Sequence, residues 1–364
     1  MAEYNSKIKE LEDRISNTKY NKKTQMAIGQ YKAQLAKLKE KESTRGSGTS
    51  GGQGWEVRKT GDGTVILIGF PSAGKSTLLN TLTDAKSETG AYAFTTLTCI
   101  PGVMTYKHAK IQILDVPGIV KGAATGRGRG KEVLASMRSA DLCLILLDAT
   151  RPQEYDVIVK EIYDTHIRIN QTRPDIKIKK TAKDGIRVGS TVKLTHLDED
   201  TIKAVLKEFR INNADVVLRS DITIDQFIDC IEANKKYMPS LTVLNKADLV
   251  PEQELKRIMK KYHADLAISA QNNINTDELR ELIFSKLDLI RIYLKEPTKA
   301  ADLDEPLIVF RNFSVGDVCK KLHKDFVSKF KFARVWGKSA KFEGQKVMLK
   351  HHLKEGDILE IHLR

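Results

Sequence analysis

The stretch Gly69-Phe70-Pro71-Ser72-Ala73-Gly74-Lys75-Ser76 follows the apolar run Val65-Ile66-Leu67-Ile68 and precedes Thr77-Leu78-Leu79-Asn80. This order predicts a buried strand, a glycine-rich turn and then a helix. Successive N–H groups in such a turn can wrap phosphate oxygens, and the helix N-terminus adds favourable partial charge. Lys75 would reach the β- and γ-phosphates, and the Ser76 hydroxyl would ligate Mg²⁺. Gly69 to Thr77 is therefore the candidate phosphate site.

A phosphate loop alone does not select a base. Asn245-Lys246-Ala247-Asp248 follows a second apolar run, Leu241-Thr242-Val243-Leu244, so it falls at the carboxyl end of a strand, where open α/β sheets bind ligands. The Asp248 carboxylate can accept both N1–H and the exocyclic amine of guanine. Adenine offers no such donor pair, and the carboxylate would be left desolvated and unpaired. Asn245 would tie this loop to the phosphate loop, and the Lys246 stem would cover one face of the base. Ser269-Ala270-Gln271, after Leu266-Ala267-Ile268, would supply a backbone N–H to the guanine carbonyl.

Asp115-Val116-Pro117-Gly118 comes after Ile111-Gln112-Ile113-Leu114. Asp115 would hold Mg²⁺ through water, and the Gly118 N–H would sense the γ-phosphate. Phe94-Thr95-Thr96-Leu97-Thr98 offers a hydroxyl to close over the metal, with Thr96 favoured over Thr95. Either threonine also suits an ordinary strand. Lys75, Thr96 and Gly118 are the residues expected to serve catalysis, and Ser76, Thr96 and Asp115 the metal.

Together these motifs resemble a translation-factor-class GTPase of the Obg-like branch, and in particular the developmentally regulated GTP-binding protein family. The segment Gly122-Ala123-Ala124-Thr125-Gly126-Arg127-Gly128-Arg129-Gly130 carries the more specific likeness, and the resemblance runs along nearly the whole chain. It implies a cytoplasmic, Mg²⁺-dependent GTPase that alternates between GTP and GDP and works on or near the ribosome and its RNA. One departure bears on mechanism. Ras-type enzymes place a glutamine after Asp-x-x-Gly to orient water, whereas Ile119 and Val120 follow Gly118 here. Slow intrinsic turnover is expected. Obg-like relatives often carry asparagine at the position of Ser72, where it helps hold K⁺. Serine leaves K⁺ open, as it does the need for an accessory regulatory protein. Arg127 and Arg129 are read as parts of a glycine-rich switch. The missing glutamine also keeps a second class in view: a constitutive ribosome- or RNA-binding protein whose nucleotide site is a slow latch.

The chain has 364 residues, 41% of them hydrophobic, which suits two or three domains with proper cores. Its net charge of +14 points either to a solvated lysine-rich surface or to a polyanionic partner. Cys99, Cys143, Cys230 and Cys319 are dispersed, which fits a reducing cytoplasm and gives no zinc spacing. Met1 to Glu42 is densely charged, so no secretory leader is read there, and the short apolar runs predict buried strands and no membrane span.

The fold class expected is α/β: a doubly wound P-loop sheet with three additions. Residues 1–45 read as a helical hairpin, either a lid on the GTPase core or a basic arm, and 46–60 as a flexible linker. The GTPase domain spans 61–300, interrupted at 160–235 by an α/β insertion similar to the family's ribosomal-protein-like subdomain. Val192-Lys193-Leu194-Thr195 and Val216-Val217-Leu218 read as its strands, with helices through Ile202 to Phe209 and Ile224 to Ile231. Its Ile176-Lys177-Ile178-Lys179-Lys180 alternation exposes lysines, as a guarded edge or an RNA contact. Residues 305–364 resemble the β-grasp module called TGS, with a helix over Val315 to Phe326; Phe332 and Trp336 could stack on bases, and in so small a domain are expected in its core. Lysines and arginines from Lys320 to Lys350 crowd this module and favour phosphate-backbone contacts.

Overall fold

The computed structural model describes residues 2–44, 61–83, 100–115, 137–297 and 299–364. The chain opens with helices α1 (Ala2–Asn17) and α2 (Gln25–Thr44). Strand β1 (Gly63–Ile68) leads into α3 (Lys75–Leu82), followed by β2 (Ile100–Tyr106), β3 (Ala109–Asp115) and β4 (Leu142–Asp148). Helix α4 (Glu154–Asp164) precedes β5 (Ile167–Ile169), β6 (Ile176–Lys180) and β7 (Ile186–Ser190). Then come α5 (Glu199–Glu208), β8 (Ala214–Leu218), α6 (Ile224–Glu232) and β9 (Lys236–Met238). The second half of the main sheet brings β10 (Ser240–Asn245), α7 (Glu252–Tyr262), β11 (Leu266–Ala267) and α8 (Thr276–Lys286). The chain closes with β12 (Leu289–Lys295), β13 (Leu307–Phe310), α9 (Val315–Leu322), α10 (Lys324–Ser328), β14 (Phe330–Trp336), β15 (Gln345–Val347) and β16 (Ile358–Leu363).

The described residues form two compact units, one of which combines the N-terminal helices with residues 161–237. In it, β6, β8 and β7 make a three-stranded sheet in that order. Its inner face shares one core with Ile202, Val205, Phe227 and Ile228 of α5 and α6 and with Ile28 and Ala33 of α2. The Lys32 ammonium lies 2.6 Å from the Asp225 carboxylate and fixes the same docking. The N-terminal hairpin thus covers the insertion's helices. A buried bidentate pair, Arg168 to Asp229 at 2.6 and 2.8 Å, ties β5 to α6. Val192–Thr195 is not a strand. Ser190 turns the chain by accepting from the Val192 N–H at 3.2 Å, and Asp221 captures the Thr195 N–H at 2.9 Å. The insertion's missing strand is Ile186–Ser190 instead.

The other unit holds the main sheet, ordered β11-β10-β4-β1-β3-β2. Strands β1, β3, β4, β10 and β11 run parallel, and β2 is an antiparallel edge. Every residue of β1, β4 and β10 is buried, as strands covered on both faces must be. Parallel strands bring all their carboxyl ends to one edge, and Leu67 lies in register with Asp115, and Asn245 with Asp148.

The second sheet of this unit runs β13-β12-β16-β14-β15 and includes β12, upstream of the expected boundary at residue 305. Leu289, Ile308 and Phe310 point into the main-sheet core, while Ile290, Ile292 and Val309 point into the β-grasp core. The two strands therefore stand between two cores. The helix expected over Val315 to Phe326 breaks at His323, whose backbone is extended and whose ring Nδ1 accepts from the Asp325 N–H at 3.2 Å. Phe332 and Trp336 are not core either. Ala333 and Val335 take the inward positions of β14, and by strand alternation Phe332 and Trp336 face out. Phe332 stacks on His362 at 4.2 Å, and the Lys295 ammonium sits 4.7 Å from the Trp336 ring.

Candidate nucleotide site

The phosphate loop leaves β1 at Gly69, where a Cβ would lie 2.5 Å from the Leu146 carbonyl, so strand β4 approaches too closely for any side chain. At Gly74 the backbone is left-handed, with φ 92°, and a Cβ would meet Asn245 Nδ2 at 2.2 Å. These contacts explain two fixed glycines of the motif without reference to a ligand. Ser72 also has a positive φ of 66° and is exposed with Phe70's neighbour Pro71 along the rim, while Ala73 is buried beneath.

Asn245 clasps two loops. Its Nδ2 donates to the Ala73 carbonyl at 2.8 Å, and its Oδ1 accepts from the Ala270 N–H at 3.0 Å. Ser269 is pinned by reciprocal backbone bonds with Ile274, 3.2 and 3.0 Å, leaving Gln271 exposed at the turn. Lys246 has a left-handed backbone, and its ammonium lies 2.6 Å from Asp148 Oδ2. Asp248 sits in the 3-10 turn Ala247–Leu249 with its side chain exposed. It is free to meet a ligand from solvent.

At the phosphate end, Lys75 folds back over its own loop and donates to the Gly69 and Phe70 carbonyls at 3.0 and 2.9 Å. Burial lowers its ammonium pKa, against the opposing pull of Asp115. Asp115 ends β3 only 5% exposed, and among the described residues its Oδ1 has no hydrogen-bond partner. Burial raises its carboxyl pKa, with Lys75 and a hydrogen bond from Ser76 working the other way. A buried, orphaned carboxylate oxygen beside a hydroxyl and an ammonium costs free energy by itself. That donor set, oxygen ligands with an uncompensated negative charge, fits a hard divalent cation. Ser76 and Thr77 lie exposed in the first turn of α3. Thr96 and Gly118, with Thr95, Ile119, Arg127 and Arg129, lie outside the described residues.

Sequence reasoning passed over Asp148. Its Oδ1 accepts from both the Thr150 N–H and hydroxyl, at 2.9 and 2.6 Å, so the carboxylate is aimed before it reaches Lys246. The available signal was an acidic residue ending an apolar run, Leu142 to Asp148, parallel to the run ending in Asn245.

A strand–loop–helix with phosphate-loop sequence, parallel strands ending in Asp115 and Asn245, and a terminal β-grasp module define a P-loop GTPase fold with a C-terminal TGS domain. Family models agree: a 50S ribosome-binding GTPase over residues 64–180, the C-terminal region of that domain over 183–289, and a TGS domain over 290–363. A GTP-binding protein of Methanocaldococcus jannaschii is 54% identical over 97% of this chain and 91% of its own length. Developmentally-regulated G-protein 3 of Arabidopsis thaliana is 45% identical, covering 99% of each chain. Ribosome-interacting GTPase 1 of Saccharomyces cerevisiae is 44% identical over 98% of each. The chain belongs to the developmentally regulated GTP-binding protein family and is a GTPase of that family.

Proposed function

We propose that this chain is a Mg²⁺-dependent GTP switch that hydrolyses GTP slowly and acts on the ribosome through its RNA. The observation that carries the nucleotide reading is the Asn245 side chain, which joins the phosphate loop at Ala73 to the base-side loop at Ala270. It supports a ligand with phosphates at one end and guanine at the other. Asp248 would accept the two guanine donors, and the Lys246 stem, held by Asp148, would lie along the base. The Ala270 N–H, now on Asn245, would be shared with the guanine carbonyl, with Ser269 and Gln271 framing it.

Gly69 to Thr77 would wrap the phosphates, with Lys75 exchanging its two loop carbonyls for phosphate oxygens. Ser76 and Asp115 would hold Mg²⁺, joined by Thr96 from its loop; the ion offsets charge building on the phosphates. Gly118 would report the γ-phosphate. GTP would order the loops around Thr96 and Gly118, and hydrolysis would release them. Ile119 cannot orient water, so turnover is slow without assistance, and K⁺ or an accessory protein would have to supply it.

Three things support a ribosomal partner: the net charge of +14, the exposed lysines of β6 and of the TGS domain, and a relative whose name says it interacts with ribosomes. Such a site of action is cytoplasmic. Among the described residues no helix is long and apolar enough to cross a membrane. The absent glutamine favours one other reading, a constitutive RNA binder with a slow nucleotide latch. Ribosome co-sedimentation with GDP, with a GTP analogue and with neither separates them. Stronger association with the analogue is expected, and equal association in all three would sink the switch.

A further inference from the structure

The base-side loop has a second anchor that no motif contains. Thr81, in the last turn of α3, places its hydroxyl 3.1 Å from the Ala270 carbonyl and 3.0 Å from the Thr77 carbonyl of its own helix. The single hydroxyl proton is shared between them. The Thr81 carbonyl in turn accepts from Arg280 Nη2 at 2.7 Å, and Arg280 is steadied by Asp277 one helical turn away on α8. Both polar backbone groups of the buried Ala270 are therefore committed, its N–H to Asn245 and its carbonyl to Thr81.

These bonds close a circuit. It runs from Ala73 to Asn245, to Ala270, to Thr81, and back along α3 to the phosphate loop. Asn245 alone is one bolt through the Ala270 peptide, about which the loop could rock. Thr81 is the second, on the opposite side of that residue. With both in place, the plane of the peptides around Ala270 is set relative to α3, and so is the distance between the base and phosphate ends of the pocket.

We propose that Thr81 is a positioning residue for guanine recognition, acting through the Ala270 carbonyl, with Arg280 holding Thr81 in place. The proposal rests on the nucleotide reading above. Thr81→Val keeps the branched shape, removes the hydroxyl and leaves the Ala270 carbonyl without that donor. A hydrogen bond of this kind is worth about a three- to tenfold change in an equilibrium. Because only the base end is loosened, the loss should fall on nucleotides and spare bare phosphates.

The test measures dissociation of a fluorescent GDP in the presence of Mg²⁺, and separately the affinity of inorganic tripolyphosphate, for the full chain. In Thr81→Val, GDP should leave roughly three- to tenfold faster with tripolyphosphate affinity unchanged. Thr81→Ser, which restores the hydroxyl, should return GDP dissociation to the parent rate. Arg280→Met should shift it in the same direction as Thr81→Val. The proposal is overturned if Thr81→Val releases GDP like the parent, or if tripolyphosphate affinity falls as much as GDP affinity. A parent chain that binds tripolyphosphate but shows no preference for GDP over ADP would instead overturn the guanine reading itself. Equal thermal midpoints of parent and variants check that the fold is intact.

Discussion

The Lys246 ammonium is held 2.6 Å from the Asp148 carboxylate, across the carboxyl ends of two adjacent parallel strands. In the proposed reading the Lys246 stem lies along the base, and this pair ties down its head. Asp148 does this from outside the recognised motif, itself aimed by Thr150. Hydrogen bonding to Lys246 and Thr150 outweighs burial and holds the Asp148 carboxyl below its ordinary value.

Asp148→Asn should therefore weaken GDP binding without unfolding the chain. A partly exposed charge-assisted bond supports an effect of about 0.5–1.5 kcal/mol, or roughly two- to tenfold in Kd. Titration with fluorescent GDP checks it. An unchanged Kd would mean the stem needs no anchor.

Asp248→Asn should cost more, on the order of 1.5–3 kcal/mol of GTP affinity, because the bonds lost are charge-assisted. Xanthosine triphosphate presents a carbonyl where guanine has its amine and should recover part of the binding. If ATP displaces GDP from the parent as well as GTP does, Asp248 does not select the base.

Asp115 gives a pH dependence with a definite sign. Its carboxyl pKa is raised by burial, so the ligand-free fold holds the proton more tightly than the unfolded chain does. This contribution to stability is present in acid and is lost as pH rises through the folded-state pKa. Asp115→Asn should consequently stabilise the ligand-free chain near pH 7 by roughly 1–2 kcal/mol, a gain that shrinks toward about pH 4. With Mg²⁺ and GDP added, the order should reverse, the parent gaining more. Thermal midpoints across a pH series read both effects. A ligand-free variant less stable than the parent at neutral pH would show that the orphaned oxygen is not a burden.

The lysines of α9 and α10 should separate into two kinds. Lys321 is engaged, 2.8 Å from the Asp62 carboxylate and 2.6 Å from the Ile308 carbonyl. Lys320 is exposed, with a long 3.5 Å approach to Asp317, and Lys324 is exposed at the start of α10. Lys321→Ala is expected to lower stability by about 0.5–1.5 kcal/mol. Lys320→Ala with Lys324→Ala should leave stability unchanged, while weakening ribosome association and flattening its salt dependence. Co-sedimentation over a salt series decides; parent-like behaviour of the double variant would remove this face from the docking surface.

Much of the site was legible because its chemistry is local. A strand, a turn with two tightly packed glycines and a helix put Lys75 and Ser76 in the candidate phosphate loop, and the ends of apolar runs marked Asp115, Asn245 and Asp248. What escaped depends on partners distant in sequence. Periodicity assigns α2 an apolar stripe, but only Ile202, Phe227 and their neighbours show what covers it. Phe332 and Trp336 looked like core because aromatic rings usually are. In a strand whose inward places belong to Ala333 and Val335, they are shifted outward by a single residue of register. Val192–Thr195 has strand-forming composition, and the hydrogen bonds of Ser190 and Asp221 overrule it. Thr81 carries no signal at all, being one of two threonines on its helix.

Strand β12 has one row of side chains in the main-sheet core and the other in the β-grasp core. The TGS domain is consequently not a bead on a string. It is bolted to the frame that carries the phosphate loop, as an outrigger is to a hull, because turning it on β12 would pull Leu289 and Ile308 out of the main-sheet core. Cutting the chain before Pro306 would not lift off a module cleanly, because it would strip β13 and β16 from β12 and leave Ile290 and Ile292 facing water. If this face is the one that meets a large particle, as proposed, the strand that carries the contact also packs on the sheet that carries the phosphate loop, so a push at the first is felt at the second.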